Sequence, residues 1–93
     1  MATDVARHLT VRGRVQGVFF RVRTYERAQA HGVSGWVANR PDGSVEAWLE
    51  GPADAVAAVE AWIRDGGPSR ARVDEVTATD ATPAGHDHFD VRD

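Results

Sequence analysis

Hydrophobic and polar positions change period several times along the 93 residues. Between residues 6 and 15, Leu9, Val11 and Val15 alternate with His8, Thr10, Arg12 and Arg14, the period of two that gives a strand one buried face. Gly13 and Gly17 interrupt the chain at the end of this strand. Val18, Val22 and Tyr25 then recur at helical spacing, which predicts a first helix over 20–31 stopped by Gly32. Segment 34–40 (SGWVANR) is rich in strand formers, and Pro41, Asp42 and Gly43 supply turn chemistry before the alternating run 44–50 (SVEAWLE), so the two make a hairpin. In the second run Val45, Ala47 and Leu49 face inward, with Glu46, Trp48 and Glu50 outward.

Gly51 and Pro52 open a second helix, whose stripe of Ala55, Val56, Val59, Trp62 and Ile63 ends at Asp65-Gly66-Gly67-Pro68. A fourth strand lies in 71–81, where the change of phase between Val73 and Val76 calls for a bulge. A loop at 82–85 leads to a short strand over 88–92, with Phe89 and Val91 on one face. The order strand, helix, strand, strand, helix, strand, plus a short extra strand, is the split βαβ pattern. It predicts an α+β, ferredoxin-like αβ sandwich: an antiparallel sheet with two helices on one face.

A chain of this length forms one domain, 1–93, and buries only about 60 to 65% of its unfolded surface, which favours a two-layer fold and excludes a large nucleotide-binding enzyme. With no Cys there is neither a disulfide nor a Cys-ligated metal, and four His and one Met are few soft ligands. His86 and His88 point to one side of a strand, but no third ligand converges on them, so no metal is expected. No stretch approaches the roughly 20 apolar residues needed to span a bilayer, and the N-terminus has no signal-peptide core. A cytoplasmic protein is expected. No apolar stripe is left over for a dimer interface, which leaves a monomer as the default.

The informative segment is 13–21, GRVQGVFFR, where a strand ends and a helix begins. Two glycines let the backbone turn sharply, and amides entering a helix form an anion cradle. Arg21, in the first helical turn, adds a planar cation able to hold two phosphate oxygens at once. Phosphate or carboxylate binding is the chemistry indicated. The Walker loop is excluded because Val18 follows Gly17, and the Rossmann fingerprint because Gly13 and Gly17 stand four apart.

GRVQGVFFR resembles the first signature of acylphosphatases, and GWVANRPDGSVEAWLEG at 35–51 resembles their second. With GPSRARV at 67–73 and the late FDV, the resemblance covers nearly the whole chain in order. It implies a ferredoxin-like enzyme that hydrolyses the carboxyl-phosphate bond of small acyl phosphates without metal or cofactor. Carried over by position, the family's phosphate-binding loop falls on Gln16, Gly17, Val18, Phe19 and Phe20, its catalytic arginine on Arg21 and its water-orienting asparagine on Asn39. The rings of Phe19 and Phe20 are expected in the core below the loop, with only their amides serving the site. The chain departs from the family pattern in two places: Ala38 stands where relatives often carry a basic residue, and Ala30-His31-Gly32 replaces the more usual Leu-Gly turn.

The alternative is a noncatalytic ferredoxin-like module that binds an anion or RNA. Trp36 and Trp48 lack the interleaved basic and aromatic pattern of an RNA-binding sheet, so no nucleic-acid partner is expected. Retention of both Arg21 and Asn39 favours catalysis, since a passive anion site has no use for the asparagine. A further rival, the acylphosphatase-like domain of large carbamoyl-transfer factors, is disfavoured by the short chain. The net charge of −3 divides unevenly: residues 1–40 carry seven Arg against Asp4 and Glu26, and residues 41–93 four Arg against twelve acids. Such a basic half steers an anionic substrate. The rate at low substrate is therefore expected to fall as ionic strength rises, and a salt-independent kcat/KM between 20 and 300 mM salt, on the order of the screening range, excludes steering.

Overall fold

The computed structural model describes residues 4–93. Its elements are β1 (Asp4–Arg14), α1 (Phe20–His31), β2 (Ser34–Asn39), β3 (Val45–Pro52), α2 (Ala53–Arg64), β4 (Arg72–Ala81) and β5 (Phe89–Arg92). They form one five-stranded sheet in the order β4-β1-β3-β2-β5. β1 runs antiparallel to β3 and β4, and β2 antiparallel to β3. The expected all-antiparallel sheet needs one correction: β5 pairs with β2 in parallel, Gly35 with Phe89 through Ala38 with Arg92. Segment 82–88 turns the chain over so that β5 enters the sheet edge from the same end as β2.

Alternation places the core as expected. Leu9, Val11 and Val15, with Val45, Ala47 and Leu49, are buried in a single cluster with Val37 and Phe89. α2 lays Val56, Val59 and Ile63 onto it, with Ala55 and Trp62 at the margin. The bulge also falls where the phase change put it: Arg12 pairs with Glu75 but Gly13 with Val73, so Asp74 is the extra residue.

α1 departs from expectation. Val22 is 49% exposed and Tyr25 36%, and the face that packs is Phe20, Thr24 and Ala28. These three stand four apart and trace the same helical period on a different face. The small side chains of Thr24 and Ala28 let the helix sit close to the sheet but leave no apolar stripe to read.

An ion-pair network joins the layers. The Arg7 guanidinium donates from Nε to Glu60 Oε1 at 2.8 Å and from Nη2 to Oε2 at 3.0 Å, and from Nη1 to Asp80 at 2.8 Å. Arg64 donates to the same Glu60 at 3.0 Å. β1 is thereby tied to both α2 and β4, and its bidentate contact with Glu60 has the geometry that makes such pairs more effective than scattered surface ones.

Alternation points Glu50 outward. It does lie on the face away from the helices, yet it is buried, because residues 84–86 cross over it. Its carboxylate accepts the amides of Ala84 at 2.9 Å, Gly85 at 2.9 Å and His86 at 3.1 Å, and the Trp48 indole N–H at 2.9 Å. Burial pushes the Glu50 pKa up, but these donors outweigh it and hold the carboxyl below its ordinary value of 4.5. The stabilisation is present above that ordinary value and is lost as pH falls through the lower folded value. Glu50→Gln, which sets an NH2 against backbone donors, is expected to cost about 2–3 kcal/mol. The check is denaturant unfolding of both proteins from pH 7 to pH 3, with the difference between them shrinking at the acid end.

Candidate active site

At the end of β1 the backbone leaves the buried Val15 and curls through two left-handed residues, Gly17 at φ 73° and Phe19 at φ 62°. Glycine adopts that conformation without penalty, whereas for Phe19 it costs about 1–2 kcal/mol. Phe19 is moreover 66% exposed, against the expectation that its ring packs in the core. Its backbone geometry turns the ring outward. Phe20, one residue on, is buried as expected, with its ring 6.2 Å from that of Trp62. A Cβ on Gly67 would meet the Phe20 ring at 2.8 Å, so the turn after α2 closes over it. Phe20 thereby fixes where α1 starts.

No side chain caps α1 and no carboxylate lies in its first turn. The leading amides of a helix have no partner within it, and its dipole places partial positive charge there. This end of the helix is thus left open to an anion. Arg21 stands in that first turn. Its Nη1 donates to the carbonyl of Arg92 at 2.7 Å and lies 3.7 Å from the Asp93 carboxylate, so the end of β5 anchors the guanidinium. Nothing in the linear order of residues signals that anchor.

Asn39 is the last residue of β2 and pairs with Val45, which on its other side pairs with Val11. The asparagine is half-buried at the level where β1 leaves the sheet. Gln16 turns elsewhere: its Nε2 donates to the carbonyls of Arg40 at 2.8 Å and Ser44 at 2.9 Å, tying the loop to the β2–β3 hairpin. Asp42 closes that hairpin, and hydrogen bonds from the Ser44 hydroxyl and amide hold its carboxyl down at about 2.

Of the residues singled out from the sequence, Gly17, Phe19, Phe20, Arg21 and Asn39 line one hollow of about 210 Å³, with Val15 and Val22. Gln16 and Val18 lie outside it, the first as a brace and the second facing the adjoining grooves. Val22, read from its spacing as core, is the wall that sequence reasoning missed. Its only linear signal is its place next to Arg21.

The charge asymmetry of the sequence is largely neutralised by folding. Arg7, Arg12, Arg21 and Arg40 find acids of the second half, and Arg23 pairs with Glu26. The two histidines expected on one side of a strand have separate partners: His86 sits edge-on to Trp48, while His88 bonds Asp87 at 2.6 Å and Asp90 at 3.0 Å. Both precede β5, where no strand pairing sets their direction. Among the described residues no three His, Asp or Glu side chains converge as a metal site would require. No helix there is long and apolar enough to cross a membrane.

Known proteins share this fold. The family model described as Acylphosphatase matches residues 7–91. An acylphosphatase of Gloeobacter violaceus is 50% identical over 91 residues, which are 98% of this chain and 97% of that protein. The crystal structure of the Bacillus subtilis acylphosphatase superposes with a TM-score of 0.89 at 33% identity, covering 94% of this chain and 97% of that one. The acylphosphatase structure from Coxiella burnetii gives 0.90 at 34% identity, covering 96% and 93%. Matched by the family model almost from end to end and by a full-length relative at half its positions, the chain belongs to the acylphosphatase family.

Proposed function

We propose that this enzyme hydrolyses acyl phosphates to a carboxylate and inorganic phosphate by in-line attack of a water that Asn39 orients. The phosphoryl group is held by the loop amides of residues 16–20 and by Arg21. The observation that carries this reading is that Arg21 and Asn39, from a helix start and a strand end, line one small hollow with residues of the loop.

The leaving group makes so sparse a site sufficient. A carboxylate has a conjugate acid with pKa of about 4, so it departs at neutral pH without a proton donor. What remains is to hold a dianion, to neutralise charge on its equatorial oxygens and to place the nucleophile opposite the leaving oxygen. Arg21, fixed by the Arg92 carbonyl and aided by the uncapped start of α1, does the first two. Asn39 does the third. An amide is not basic enough to remove a proton, but its oxygen accepts a hydrogen bond from the water while a phosphate oxygen takes the proton. The bond from water oxygen to phosphorus forms as the bond from phosphorus to the carboxylate oxygen breaks.

Removing one preorganised donor of this kind costs about 3 to 4 kcal/mol in the transition state. Arg21→Ala and Asn39→Ala are each expected to lower kcat on benzoyl phosphate, assayed with a chelator present, by at least about a hundredfold. Their unfolding midpoints should stay close to that of the parent, since neither side chain belongs to the core. A parent without activity leaves the noncatalytic anion-binding module, whereas an Asn39→Ala variant as fast as an active parent removes the asparagine from the mechanism.

A further inference from the structure

Eleven arginines supply all the basic charge of this chain's side chains besides its histidines. Seven of them, at positions 7, 12, 21, 23, 40, 64 and 72, have an acidic partner within 4.0 Å among the described residues. Of the other four, Arg92 stacks on Trp36 with its guanidinium carbon 4.9 Å from the ring centre. The remaining three, Arg14, Arg27 and Arg70, gather on the outer flank of the phosphate loop. In a chain of net charge −3 there is no shortage of acids to neutralise them.

Arg27 and Arg70 line one open groove together with Arg23, Trp62, Val18 and Phe19. The groove holds about 550 Å³, more than twice the hollow that contains Asn39. Arg23 and Arg27 stand one helical turn apart on α1, and Arg70 reaches in from the turn between α2 and β4. Arg27 is oriented in advance, because its guanidinium lies 5.1 Å above the Trp62 ring. The exposed bond from Arg23 to Glu26 is of the weak surface kind that an incoming anion displaces. Arg70 also borders a second depression with Arg14 and Gln16, so positive charge continues along the flank. Like charges brought together in this way repel unless an anion shares them, and planar guanidinium groups suit phosphoryl oxygens.

We propose that this groove is a second anion-binding site, separate from the hollow of Arg21 and Asn39, for a ligand carrying two or more phosphoryl groups. The size of the groove and its guanidinium groups on two elements fit a chain of phosphates better than a single one. Its wall is Phe19, which also walls the catalytic hollow, so the two sites meet at one strained residue. The site does not rest on the catalytic mechanism proposed above.

Calorimetric titration of the full chain with inorganic tripolyphosphate at low salt tests the proposal. One tripolyphosphate should bind, and binding should persist in Arg21→Ala. Arg27→Ala and Arg70→Ala should each weaken it by about tenfold, as expected for losing one charge-assisted contact. Arg12→Ala, which removes a cation from the hairpin side, should change it less than about twofold if the attraction is local. Unaltered binding in both Arg27→Ala and Arg70→Ala overturns the proposal, as does an equal loss in Arg12→Ala, which would mean diffuse attraction to net charge. The source of the phosphates is read from kinetics. If Arg70→Ala raises KM for an acyl phosphate with a second phosphate on its acyl part, but not for acetyl phosphate, the groove takes the far end of the substrate. If both KM values hold while tripolyphosphate binding falls, the ligand is a separate polyphosphate.

Discussion

Val45 stands between two strands, and the candidate site depends on that one double pairing. It faces Val11 across β1 and Asn39 across β2, so a single residue of β3 sets the level of the loop exit and of the asparagine together. A slip of one residue on either side would turn Asn39 to the opposite face of the sheet. Backbone contact guards the register. Gly35 lies so close to Trp48 that a Cβ there would fall 1.9 Å from the Trp48 carbonyl oxygen, and no other residue could take its place. Gln16 then fastens the loop to the two ends of the hairpin turn, so loop and asparagine move with the same strand pair.

Rigidity around the site and strain within it are two sides of one arrangement. Phe20 is wedged between Trp62 of α2 and the turn at Gly67, and Phe19 beside it holds the left-handed conformation. The core holds the strained residue in place, as strain at functional loops generally requires. The same logic applies to charge. Acids of the second half take up most arginines of the first, and the bidentate contact of Arg7 with Glu60 links sheet to helix far from the loop. Among the described residues, Arg14, Arg27 and Arg70 on the flank of the loop have no acid within 4.0 Å, and the amides at the open start of α1 have no capping side chain.

Much of this is legible in the residues because the physics behind it is local. The period of two in β1 and β3, the apolar stripe of α2, and the phase change between Val73 and Val76 are each set by neighbours in sequence. What escapes is set by distant partners. The packed face of α1 is Phe20, Thr24 and Ala28, and small or hydroxylated residues carry no hydrophobic signal until a sheet approaches them. Glu50 reads as an outward acid because three of its four donors come from a segment more than thirty residues away. The site divides in the same way. The loop and Arg21 announce themselves by glycine spacing and helix position, and the family resemblance adds Asn39. The brace of Gln16 and the anchoring of Arg21 by Arg92 exist only once the hairpin and β5 are in place.

The anchor on β5 gives the order of synthesis a consequence. The loop and Arg21 lie within the first quarter of the chain and would leave the ribosome early, while the carbonyl that holds the guanidinium belongs to Arg92. Until β5 pairs with β2, an emerging chain has no Arg92 carbonyl to hold the Arg21 guanidinium. On the proposed mechanism, the phosphate site is completed only at the last strand pairing, when β5 docks beside β2. On that mechanism a chain cut before β5 would lack both the anchor of its cation and the part of the core where Phe89 packs.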